Sequence, residues 1–122
     1  MRNLQLYATG SATATSVAQI TIPSATTLRG VCISFAVDSI TDNAQVRLEF
    51  SKVPTNQIGT NAALDPFLEI GMYNNLVTSG MTANQQNLFF PLDVPCRQGE
   101  IVYVHATILG TATYYVNAIF SY

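Results

Sequence analysis

Apolar residues in this chain recur at every second position, and that period decides which elements can bury them. A β-strand turns successive side chains to opposite faces, so period two gives a strand one apolar face and one polar face. The clearest segment runs Ala44-Gln45-Val46-Arg47-Leu48-Glu49-Phe50. Ala44, Val46, Leu48 and Phe50 share one side, and Gln45, Arg47 and Glu49 share the other. Val31, Ile33, Phe35 and Val37 form a second inward row. They alternate with Cys32, Ser34 and Ala36, whose small side chains leave room for another layer outside. Ala18, Ile20 and Ile22 make a third row that ends at Pro23.

Towards the C-terminus, residues 100–108 (EIVYVHATI) are β-branched and aromatic almost throughout, which implies a central or interface strand buried on both faces. Residues 114–122 (YYVNAIFSY) read as a closing strand. Shorter candidates lie at 4–8, 67–73 and 88–94, and Pro91 inside the last implies an edge or a bulge. Turn residues fall between these runs: Pro23-Ser24, Asp42-Asn43, Pro54-Thr55-Asn56, Asp65-Pro66, Asn74-Asn75, Arg97-Gln98-Gly99 and Leu109-Gly110-Thr111. No segment sustains a helical period. Eight candidate strands in 122 residues predict one all-β domain over 1–122, an antiparallel, jelly-roll-like β-sandwich. Val31, Ile33, Phe35, Val46, Leu48 and Phe50 are the expected core. Residues 10–16 (GSATATS) are small and polar, and they set off residues 1–16 as an N-terminal arm and linker.

Only 10% of the residues are charged, against about 25% in ordinary soluble proteins. Thr, Ser, Asn and Gln take their place, with 14, 8, 9 and 7 copies. Few charges mean weak self-repulsion and little charge to desolvate, which suits a chain that lives against other proteins. Arg2, Arg29, Arg47, Lys52 and Arg97 are scattered and the net charge is −2, so no basic cluster is available for phosphates and nucleic-acid binding is not expected. No apolar run reaches the roughly 20 residues of a membrane-spanning helix. The first residues lack the pattern of a signal peptide, and the initial methionine points to synthesis in the cytoplasm.

Chemistry-bearing residues are sparse. His105, the one histidine, stands between Tyr103 and Thr107 on one strand face, with no nucleophile motif in the sequence to accompany it. A structural histidine is the better reading, and no enzymatic activity is expected. Asp38, Asp42 and Asn43 cluster in DSITDN, but the run lacks the carboxylate spacing and turn glycine of a calcium loop, so a capped turn explains it better. Neither a metal nor a cofactor is expected. Cys32 and Cys96 fit no zinc spacing. A small buried thiol is the default for Cys32, with a single bridge to Cys96 as the alternative. Tyr103, Tyr114, Tyr115 and Tyr122 crowd the last fifth of the chain, where they serve a protein interface, the core or a sugar platform.

The order Phe89-Phe90-Pro91-Leu92-Asp93-Val94, then Arg97-Gln98-Gly99-Glu100-Ile101-Val102-Tyr103-Val104, then Ala118-Ile119-Phe120-Ser121-Tyr122, resembles the closing strands of tumour-necrosis-factor-like and related jelly rolls. The chain as a whole is similar to small tailed-phage capsid decoration, or cement, proteins: short, charge-poor, rich in Thr and Asn. That resemblance implies a structural virion subunit, a homotrimer holding to a major capsid protein, made in the host cytoplasm and bringing no catalytic residue. The expected interface comprises Tyr103, Tyr114, Tyr115 and Tyr122, together with an arm carrying Leu4, Leu6 and Tyr7. A carbohydrate- or receptor-binding module, such as a fibre head, is the alternative.

Overall fold

The computed structural model describes residues 2–12, 14–38, 44–52, 66–73 and 84–122. These form eight strands: β1 (Asn3–Gly10), β2 (Ala14–Thr21), β3 (Thr26–Asp38), β4 (Gln45–Ser51), β5 (Leu68–Tyr73), β6 (Asn84–Cys96), β7 (Ile101–Leu109) and β8 (Thr113–Ser121). Among the described residues there is no helix. The expected turns at Asp42-Asn43, Pro54-Thr55-Asn56 and Asn74-Asn75 lie outside the described residues, as does Asp65 and most of DSITDN.

Two antiparallel sheets result, with strand orders β1-β8-β3-β6 and β2-β7-β4-β5. First pairs with last, second with seventh, third with sixth and fourth with fifth. A long antiparallel ribbon rolled over on itself gives this order, which is the jelly roll. The period-two rows meet between the sheets. Val31, Phe35, Leu48, Phe50, Val102, Val104 and Phe120 are fully buried there, and all six residues expected in the core are in it. Phe120 of the first sheet meets Phe50 of the second edge-on, with ring centroids 5.8 Å apart.

Local chemistry accounts for the joints. Gly99 and Gly110 have φ near +80°, and they sit where the chain reverses between β6 and β7 and between β7 and β8. Such turns favour glycine because a side chain would strain the backbone. Pro91, which has no N–H to give a neighbour, lies on the outermost strand of the first sheet, where the β3–β6 register also shifts between Leu28 and Gly30. The sequence allowed an edge or a bulge there; β6 has both.

Two expectations need correction. Residues 3–10 are no free arm: β1 pairs residue for residue with β8 from Asn3↔Ser121 to Gly10↔Tyr114. Leu6 and Ala8 of this strand belong to the core. Of the small polar run that follows, residues 14–16 belong to β2, which pairs with β7. Cys32 is not the buried thiol expected of it, although it is unbridged as the default had it. Both cysteines are free, Cys32 exposed and Cys96 buried.

Candidate functional site

The two outer faces of the sandwich differ in where their charges sit. On the first sheet, backbone register sets four strands in rows. One row holds Gln5, Ile119, Cys32 and Phe89, and the next Tyr7, Asn117, Ser34 and Asn87. Thr9, Tyr115 and Ala36 form a third. None of these residues is charged. The described ion pair at this sheet, Arg29 to Asp93 at 3.3 Å, lies at its margin beyond Phe89 and is well exposed. Five large apolar side chains stand most exposed among the described residues, and four of them, Tyr7, Phe89, Tyr115 and Ile119, are on this face. Phe89 is 65% exposed and Tyr7 58%.

Small residues on β3 turn the face into a channel. A hollow of about 300 Å³ opens over Cys32, Ser34, Asn87, Phe89, Asn117 and Ile119. A second, about 180 Å³, continues it over Ser34, Ala36, Tyr7, Tyr115 and Asn117. Polar side chains along the walls are neutral and in part paired: Ser34 Oγ with Asn87 Oδ1 at 3.0 Å, and Gln5 Nε2 donating to Asn117 Oδ1 at 2.9 Å.

The second sheet's outer face is charged. Arg47 Nε lies 3.2 Å from Glu49 Oε1 and 3.7 Å from Glu69 Oε1. His105 is directly across from Glu49 on the neighbouring strand. Burial lowers the His105 pKa; Glu49 pushes it up and Arg47 down, both less strongly. Its Nδ1 is buried without a hydrogen-bond partner, so no carboxylate orients the ring through that nitrogen. At the end of the sandwich Lys52 joins Glu100 at 3.0 Å and donates to the Pro95 carbonyl at 2.9 Å. That contact holds the Glu100 carboxyl below its ordinary range, the hydrogen bond from Lys52 being the main cause. Among the described residues no group of three or more His, Cys, Asp and Glu side chains is placed to hold a metal ion.

The residues expected at an interface are dispersed. Tyr7 and Tyr115 are together on the uncharged face, flanking Asn117. Tyr114 and Leu6 are in the core, so they meet no neighbour while the sandwich is intact. Leu4 and Tyr122 pack partly buried against that core, and Tyr103 is half-buried on the second sheet. Phe89, Ile119 and Asn117 were missed as partners of Tyr7 and Tyr115. The signal was present in the outward positions of 87–91 and 115–121, but only strand order places them side by side.

No protein-family model matches the chain, and no curated protein matches it in sequence. Solved structures do. The Eiger TNF structure from S. frugiperda aligns over 100% of this chain and 94% of that one, with a TM-score of 0.55 and 6% identity. The fold is the same. The K3 adhesin domain of Lys-gingipain from Porphyromonas gingivalis aligns over 98% of this chain and 65% of that one, with a TM-score of 0.49 and 9% identity. VP2 of infectious bursal disease virus aligns over 98% of this chain and 32% of its own, so this chain spans about a third of that protein, with a TM-score of 0.43 and 10% identity. Likeness at these distances extends to the β-sandwich and no further.

Proposed function

We propose that this chain is a non-catalytic structural subunit of a virion shell, a decoration or cement protein that acts through protein–protein contacts. The uncharged outer face of the first sheet carries the reading. A four-stranded surface bearing Tyr7, Phe89, Tyr115 and Ile119 is apolar enough to be covered in use, because soluble monomers rarely leave contiguous apolar patches beyond a few hundred Å² open. The low charge content supports it, and so does the resemblance to phage decoration proteins. The resemblance alone implies a three-fold form, and the symmetry is not part of this proposal; attachment to a major capsid protein after synthesis in the host cytoplasm is. Sedimentation across a wide concentration range tests the core of it. Wild type is expected to run as a closed oligomer, and Tyr115→Lys, which leaves the buried face untouched, as a monomer. A monomer at every concentration that also fails to bind a capsid lattice would sink the reading.

One observation favours a second reading, a carbohydrate-binding module. Tyr7 and Tyr115 flank Asn117 and Ser34 in a hollow, an arrangement able to stack a sugar ring and hydrogen-bond its hydroxyls. Binding of a neutral oligosaccharide by the monomer, abolished in Tyr7→Ala, would favour it.

A further inference from the structure

The uncharged face has relief as well as apolarity. Cys32, Ser34 and Ala36 of β3 make a floor of small residues about 14 Å long at ~3.4 Å per residue, closed at one end where the Phe89 ring lies over Gly30. It is flanked one strand away on either side by Asn87 and Phe89 of β6 and by Ile119 and Tyr115 of β8, the two flanking backbones running roughly 10 Å apart at two strand spacings. A gap of that width admits an aromatic ring. Tyr7 and Tyr115, exposed beside the floor, are the rings this molecule presents.

We propose that this channel is filled by the same face of a second copy of this chain, related by a two-fold axis, with Tyr7 and Tyr115 of each copy over the Cys32–Ser34–Ala36 floor of the other. The proposal rests on reading the face as an assembly surface, and it names the partner.

Charge argues for self-recognition over a dissimilar partner. In a two-fold contact the residues near the axis meet their own images, so a charge there faces an identical charge. Hydroxyls and carboxamides carry both donors and acceptors and can pair with themselves. Between the Arg29–Asp93 pair at one end and position 38 at the other, the described side chains that face out are of these kinds or apolar. A dissimilar partner is under no such restriction, and complementary charge would speed its approach. Area agrees. Four strands at ~4.8 Å and nine residues at ~3.4 Å give a projected face near 600 Å². Side-chain relief raises the accessible area towards the ~800 Å² per partner of a standard stable interface. Two-fold closure also needs only this one patch, whereas a three-fold ring needs two different complementary patches.

The molecule carries its own reporter. Cys32 is exposed on the channel floor, while Cys96 is buried and burial raises its thiol pKa. A maleimide therefore reads Cys32 in the native protein. Labelling of the wild type should slow at least tenfold as concentration rises, in step with a two-chain species in sedimentation. Ser34→Glu and Ser34→Lys should each be monomeric with Cys32 open, and an equimolar mixture should restore both the two-chain species and the protection. Ala36→Glu with Ala36→Lys repeats the exchange where either Ser34 variant loses the β-sheet circular dichroism of wild type. A three-chain species, a two-chain species with Cys32 fully reactive, or mixed variants that stay apart overturns the proposal and leaves the assembly reading standing. Wild type that stays monomeric with Cys32 open, or protected only by an added neutral oligosaccharide such as cellotriose, overturns the proposal, and it removes the assembly reading as well where that monomer also fails to bind a capsid lattice.

Discussion

Phe120 offers the sharpest test of how the two sheets are held. Its ring is fully buried and belongs to the first sheet. It meets Phe50 of β4 edge-on at 5.8 Å and Phe67, just before β5, at 6.4 Å. Phe67 is itself tied down by its N–H donating to the Phe50 carbonyl at 3.0 Å. Truncation in Phe120→Ala therefore opens a cavity lined by two rings that are fixed through one backbone bond and cannot easily collapse. Buried phenylalanines lose about 3–5 kcal/mol on such truncation, and this site belongs in the middle of that range or above. A domain of this length has a total stability of roughly 6–18 kcal/mol, so the variant should still fold. Its unfolding entropy near 60 °C is about 0.26 kcal/mol/K, so a loss of ~4 kcal/mol lowers Tm by about 15 °C. Urea unfolding of wild type, Phe50→Ala, Phe120→Ala and the double variant gives the coupling directly. The double variant should lose less than the sum of the two singles by about 1 kcal/mol, the worth of an edge-on aromatic pair. A loss under ~1.5 kcal/mol in Phe120→Ala, or strict additivity in the cycle, would mean that the sheets do not meet through these rings.

The buried Tyr114 hydroxyl has no partner and burial raises its pKa, so Tyr114→Phe should stabilise by about 1 kcal/mol in denaturant titration. In wild type this group erodes stability as pH climbs above the unfolded value near 10, where only the unfolded chain readily gives up the proton; the phenylalanine variant should lose that alkaline slope. Gly10→Ala places a Cβ 2.9 Å from the same hydroxyl and should destabilise, and Tyr114→Phe should relieve part of the damage. His105 has a lowered pKa, so the fold prefers its neutral form, and stability should fall as pH drops below about 6.5. His105→Gln should flatten thermal stability through that window. Glu100 has a lowered pKa, so its contribution is present above its unfolded value and lost as pH falls through the folded one. Lys52→Met should cost at most about 1 kcal/mol at neutral pH and reduce the acid slope, because the pair is partly exposed.

Sequence reading reached the buried side of this molecule more completely than the exposed side, and the reason is physical. Burial is imposed on single strands: Val46, Leu48 and Phe50 must face inward together whatever β4 pairs with, so period two suffices to find them. The same rule misplaced β1. A short strand after a possible start looks like an arm, and only the β1–β8 ladder, which spans more than a hundred residues of chain, makes it a sheet edge. Tyr114 shows the limit from another side. Four tyrosines in one stretch look alike by composition, yet the parity of β8 sends Tyr114 into the core and Tyr115 out, with one residue between opposite roles. His105 and Glu49 meet for a reason no local pattern carries, the register of β7 against β4.

The surface proposed for assembly is a product of strand order above all. Tyr7, Cys32, Phe89 and Tyr115 come from four strands that begin at residues 3, 26, 84 and 113, and no window of strand length contains two of these side chains. Jelly-roll order sets the strands side by side, and only then does the scarcity of charge take on a location. The described strand charges are equal in number on the two sheets but differ in place: on the first, Arg29 with Asp93 and, at the far end of β3, Asp38 stand at the ends of the face. Arg47, Glu49 and Glu69 gather on the second sheet, and Lys52 with Glu100 at one end. A composition that was merely Ser/Thr-rich would not keep charge out of the middle of one face. Segregation keeps one face hydrated and leaves the other with little to lose on leaving water, because burying neutral hydroxyls and amides with partners costs far less than burying ions. That predicts an asymmetry under mutation: a lysine replacing Thr107 on the second sheet should leave oligomer mass unchanged, whereas a lysine replacing Ala36 should abolish association at equal folding stability. Equal effects from the two substitutions would show that low charge acts through the whole surface and that the first sheet has no special part in assembly.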